Sequence, residues 1–149
     1  MYVMLSWALM MIGLLGQQPA SSSADKSSLD YEFFKTKVQP IFLNGNRTGP
    51  GGLHARCYTC HSTGTGFRLQ RLSEGATTWT EEQSQKNFES AKRMVQPGNL
   101  KSRLLTHPLA ESAGGDFFHN GGKHWTSQSD PEWQTLKAWV MGEKAKSGQ

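Results

Sequence analysis

Cys57 and Cys60 are the chain's two cysteines, and His61 follows the second directly, giving the run C-Y-T-C-H. On a turn of helix, two thiols at that spacing can each form a thioether to a vinyl group of a haem. The next side chain is then held under the iron as its proximal ligand. A structural zinc site would need four Cys or His ligands, commonly from paired motifs, and the chain has no second cysteine pair. A thioredoxin-like redox pair belongs at a strand-to-helix junction in a βαβ setting, which this sequence lacks. A disulfide between residues three apart is uncommon and strained. The motif therefore predicts one covalent haem c, attached at Cys57 and Cys60, with His61 on the iron.

An iron that passes single electrons with little rearrangement is six-coordinate, so a second axial ligand is expected downstream, Met or His by preference. Beyond residues 1–16 the methionines are Met94 and Met141. Met141 ends a helix that would only flank the haem and reads as surface or packing, whereas Met94 adjoins an apolar stripe and reads as core with ligation as its alternative. His54 precedes the motif and reads as a solvent or propionate neighbour. His107 stands before Pro108 at a helix end, where it could instead cap the last carbonyls. His119 lies in F-F-H-N-G-G, with Phe117 and Phe118 as an expected hydrophobic wall and two glycines that let the backbone approach a porphyrin closely. His124, in K-H-W, competes, its other use being a hydrogen bond to a propionate or loop carbonyl. Arg103 and Lys123 are candidates to neutralise propionates, with solvated surface as the alternative. Phe118 and Trp125 are candidate pocket walls, with general core as the alternative.

The elements that must position these groups read as helices. Asp30 can cap a helix reaching about residue 39, with Phe33, Phe34 and Val38 on one face, and Pro40 is expected to end it. Residues 44–52, N-G-N-R-T-G-P-G-G, can only be loop. Thr80 and Gln83 form a capping box for a helix to about residue 95, whose stripe would be Phe88, Ala91 and Val95. Asn99 can cap a short helix through about residue 106. A loop over 110–127 carries four glycines and three aromatics, a composition suited to wrapping a ligand. Asp130 or Ser129 caps the last helix, with Pro131 and Glu132 in its first turn, Trp133, Leu136, Trp139 and Val140 on one side, and Lys144 and Lys146 closing it. No alternating strand pattern of any length is present, so the expected fold is mostly α with long loops.

At 149 residues the chain has the length of one domain, which excludes a multidomain enzyme. Hydrophobic residues make up 36% of it and the mean hydropathy is −0.59, low for a self-sufficient core. A buried prosthetic group would supply the missing apolar interior. Sixteen basic residues against twelve acidic ones give +4, dispersed along the chain, which favours weak docking on acidic partners over nucleic-acid binding. Residues 1–16 are uncharged and almost wholly apolar, short of the roughly 20 residues of a full membrane span. They read as a cleaved signal peptide or a retained membrane anchor, with small residues for cleavage after Ala20 or Ala24 and no lipobox cysteine.

V-Q-P-I-F, R-C-Y-T-C-H, P-G-N-x-x-S-R-L-L, H-N-G-G-K-H-W and D-P-E-W-x-x-L-x-x-W-V succeed one another along residues 31–142. In this arrangement the chain resembles the short monohaem cytochrome c domains of bacterial periplasmic proteins. The resemblance implies electron transfer and a partly helical domain whose first and last helices pack together against the haem edge. In those domains the position matching His119 is a histidine before a glycine run, which makes His119 the preferred distal ligand, ahead of His124, Met94 and His107. One departure is the Gly-rich stretch between Pro40 and Cys57, longer than in compact cytochromes c.

The organisation expected is a signal peptide or anchor over 1–24, a linker over 25–30, a monohaem cytochrome c domain over 31–144 and a tail over 145–149. The expected function is one-electron transfer without enzymatic turnover, by an exported, periplasmic protein, soluble or anchored through residues 1–16. Its partners would be redox proteins or a membrane-bound respiratory or photosynthetic complex. A bis-histidine iron would have a lower potential than a His/Met iron. The alternative is a five-coordinate haem that acts as a peroxidase-like enzyme or binds a gas, with His119 or His124 as a distal base that does not touch iron.

Overall fold

The computed structural model describes residues 28–44, 57–64 and 66–146. The expected leader, half of the expected linker, the loop with His54 and Arg56, Thr65 and residues 147–149 lie outside them.

Asp30 opens the first helical run, its carboxylate accepting from the Phe33 amide at 2.6 Å. The run is not one regular helix: α1 covers Tyr31–Phe33, a π-helical turn continues over Phe34–Val38, and a 3-10 turn over Gln39–Leu43. Pro40 accounts for the change, because its ring would strike the carbonyl of Thr36 in a continuing α-helix. The chain widens instead, and the Gln39 amide donates to the Phe34 carbonyl five residues back. Pro40 thus reshapes the run where the sequence suggested a stop, and Phe34, Val38, Ile41 and Phe42 all remain buried.

α2 is the motif itself, Cys57–His61. α3 spans Glu81–Lys92 behind the expected capping box: the Gln83 amide donates to Thr80 Oγ1 at 3.2 Å and the Thr80 amide to Gln83 Oε1 at 3.0 Å. It stops three residues short of Val95, and its inner face differs from the apolar stripe read from the sequence. Ser84, Asn87 and Ser90 are buried there beside Ala91, while Phe88 and Val95 are only partly buried against the core. α4 is Arg103–Thr106, preceded by Ser102 and not by Asn99, whose side chain serves the preceding turn by accepting from the Lys101 amide.

α5, Pro131–Val140, starts as read: Asp130 accepts from the Glu132 amide at 2.9 Å, and Pro131 takes the first position, where a missing N–H costs nothing. It ends before Lys144 and Lys146. Lys137 is the base in its last turn, and Lys144 donates to the Ser28 carbonyl at 2.7 Å. Among the described residues there is no strand, only one parallel bridge between Leu109 and Trp125. The fold is mostly α.

Trp133, Leu136, Trp139 and Val140 bury one whole side of α5. Trp139 packs 5.2 Å from Phe34 and 6.0 Å from Phe88, ring centre to ring centre, and its indole donates to the Asp30 carbonyl at 2.8 Å. Trp133 donates to the Leu105 carbonyl at 3.1 Å. Each such fully buried side chain contributes roughly 1.5–3 kcal/mol. The first and last helical runs are thereby fastened to each other and to α4, which fixes the frame on which the loop over 107–125 closes.

Candidate haem site

A cleft of about 410 Å³ opens between α2, α4, α5 and the 107–125 loop, within the range of roughly 300–1,000 Å³ typical of cofactor pockets. Cys57, Cys60 and His61 line it from one side, and His107, His119, His124 and Trp125 from the other. Phe42, Leu104 and Leu136 supply its apolar floor.

α2 presents the motif on a single turn. The two thiols are not joined to each other, and burial pushes the Cys57 thiol up to about 12. His61 is held by residues 67–69: its Nδ1–H donates to the Phe67 carbonyl at 2.7 Å, and its own carbonyl accepts from the Leu69 amide at 2.8 Å. Since a carbonyl can only accept, the tautomer is fixed and Nε2 is the basic nitrogen of the ring. Burial lowers the His61 pKa, favouring the neutral imidazole that metal ligation requires.

His119 repeats this arrangement across the cleft. Its Nδ1–H donates to the Gly122 carbonyl, which again makes Nε2 the basic nitrogen. Burial lowers its pKa as well, and the neighbouring His107, His61 and Lys123 act in the same direction. The two rings lie 6.3 Å apart between centroids, and their planes differ by 17°. Two imidazoles sharing one metal through Nε2 bonds of roughly 2 Å would have centroids roughly 6 Å apart. Among the described residues no group of three or more His, Cys, Asp and Glu side chains is arranged to hold a bare metal ion. The donor set fits a metal whose remaining positions come with a planar ligand, lodged beside two cysteines.

The other sequence candidates divide. Met94 is half-buried and lines the cleft, as do His124, buried with its ring 5.4 Å from His119, and exposed Arg103. Trp125 is buried and lines the cleft. Phe118 does not: it is 64% exposed, and Phe117 is 82% exposed. The loop closes through its backbone, the Ala110 amide donating to the Trp125 carbonyl at 2.8 Å and the His124 amide to the Pro108 carbonyl at 2.7 Å, and this turns Leu109 and Trp125 inward and both phenylalanines outward. The Lys123 ammonium donates to the carbonyls of Asp116 and His107 and ties the loop together. Met141 is at the surface, 39% exposed.

Phe67 escaped the sequence reading because it acts through its carbonyl, which no side-chain pattern reveals. Phe42 and Leu136 wall the cleft from positions legible only as core.

Comparison with known proteins gives no matching family model, no matching curated protein and no matching solved structure. A functional assignment therefore rests on the side chains of this cleft.

Proposed function

We propose that the chain is a monohaem c-type cytochrome that carries electrons one at a time, with Cys57 and Cys60 as the thioether positions, His61 as proximal ligand and His119 as distal ligand. One observation supports this reading: two imidazoles, each donating from Nδ1 to a backbone carbonyl, stand nearly parallel and 6.3 Å apart in the cleft that both motif cysteines line. Haem, when bound, supplies a metal that changes oxidation state by one electron without losing a ligand. The protein's part is to hold that metal still. Phe67 and Gly122 keep the imidazoles oriented, and Trp125, Phe42, Leu104 and Leu136 keep water from the site. Arg103, exposed and lining the cleft, would balance the carboxylates of the macrocycle. The potential expected is that of a bis-histidine iron, below that of a His/Met iron.

In this reading the protein is exported through residues 1–16, works in the periplasm free or anchored there, and exchanges electrons with redox proteins or a membrane-bound complex. Among the described residues no helix is long and apolar enough to cross a membrane.

The test is expression in a host that attaches haem c. The acid-denatured chain should retain haem on a gel, and the double variant Cys57→Ala/Cys60→Ala should not. The reduced protein should show sharp low-spin bands and bind carbon monoxide poorly. Haem that washes out on denaturation overturns covalent attachment, and a high-spin, CO-binding wild type would shift the assignment to the five-coordinate alternative.

A further inference from the structure

The buried face of α3 carries polar side chains where an amphipathic helix would place apolar ones. Asn87 is 0% exposed and Ser90 2% exposed. Burying such groups costs free energy unless they are hydrogen-bonded, and their partners lie in one place. Ser90 Oγ accepts from the Arg68 amide at 2.9 Å, and Asn87 Oδ1 accepts from the Gln70 amide at 2.7 Å. Asn87 is itself fixed from the first helical run: its Nδ2 donates to Gln39 Oε1 at 3.4 Å, and Gln39 donates in turn to Ser84 Oγ at 2.9 Å.

The segment pinned in this way begins with the carbonyl that orients His61. Arg68 directly follows Phe67, so the Ser90 hydroxyl holds the amide of the same peptide unit whose carbonyl accepts from His61 Nδ1. The Leu69 amide returns to the His61 carbonyl, closing a loop of contacts from α3 through the 67–70 backbone to α2. Resting on the haem assignment above, we infer that Ser90 and Asn87 are positioning residues for the proximal ligand. They set the strength of the His61 Nδ1–H to Phe67 carbonyl bond, and through it the redox potential. A firm bond makes the imidazole a stronger donor and favours ferric iron, so loosening it raises the potential.

The experiment is redox titration of the haem-loaded wild type, Ser90→Ala, Asn87→Ala, the conservative Ser90→Thr, and Val140→Ala as a core variant away from the cleft. Ser90→Ala and Asn87→Ala should each shift the one-electron equilibrium toward ferrous haem at least about threefold, about 28 mV upward at 59 mV per tenfold. Ser90→Thr should restore the wild-type value, and Val140→Ala should lose stability at unchanged potential. Alanine variants that lose stability but keep the potential overturn the inference. If neither alanine variant loads haem, the wild-type holoprotein decides by hydrogen exchange: the His61 Nδ1 proton should be protected to the same degree as the Arg68 and Gln70 amides, and much faster exchange at His61 overturns the coupling. A wild type without covalent haem fails the haem assignment instead.

Discussion

The His107 ring meets the His119 ring edge to face at 4.8 Å, with an interplanar angle of 82°, while its own Nδ1 lies 2.9 Å from the Asp116 carboxylate. His107 therefore stands as a buttress beside His119, already engaged by its loop. His119→Ala should yield a high-spin, CO-binding haem, whereas His107→Ala and His124→Ala should keep a low-spin spectrum, all read by visible absorption with and without carbon monoxide. If only His124→Ala opens the iron, the loop is right and the residue wrong. A sulfur-to-iron charge-transfer band in the ferric protein would move the assignment to Met94.

Acid should weaken the contact between the first helical run and α3. Glu81 pairs with Lys35 at 2.5 Å and accepts from the Tyr31 hydroxyl at 2.6 Å. The bond from Lys35 first, and that from Tyr31 second, hold its carboxyl below the usual carboxylate range. A group with a depressed folded pKa contributes fully above its unfolded value, and the contribution fades as pH falls through the folded one. Between about pH 5 and about pH 3, the thermal midpoint of wild type should therefore drop more than that of Glu81→Gln. Added salt should narrow the difference because the pair is exposed. Parallel pH profiles for the two proteins would sink this account.

Gly115 closes the 107–125 loop at short range. A methyl group there would overlap the Leu109 carbonyl and stand 2.9 Å from the Thr106 carbonyl, so the backbone that bridges to Trp125 must move. Gly115→Ala should cost about 1–3 kcal/mol in denaturant unfolding, the range of overpacked sites. It should also perturb the haem spectrum, since Trp125 walls the cleft. A wild-type midpoint with a wild-type spectrum would show that the loop can give way freely.

How much of this was legible in the sequence depended on whether the partner groups were local. The Thr80/Gln83 box and the Asp130–Pro131 start are each complete within four residues, and both form as read. The C-Y-T-C-H turn is likewise self-contained. Phe118 could not be placed, because its adjacency to His119 says nothing of how the loop rotates, and that rotation is set by backbone bonds from Ala110 and His124 to residues 15 and 16 positions away. Ser84, Asn87 and Ser90 defeat the apolar-stripe rule for a related reason. The groups they satisfy belong to Gln39 and to the Gln70 and Arg68 amides, the last two lying 17 and 22 residues from Asn87 and Ser90. The widening after Phe33 needed Pro40 to be read as a local distortion, and a proline by itself does not distinguish a stop from a bulge.

Lys144 reaches the Ser28 carbonyl, and the Ala145 amide lies 3.5 Å from the Asp30 carboxylate that caps α1. Chain entering ahead of residue 28 and chain leaving after residue 146 therefore meet the domain at one spot, stitched across the end of α5. A pull applied at either of these two points is therefore taken up first by the seam between α1 and α5, where Trp139 packs on Phe34.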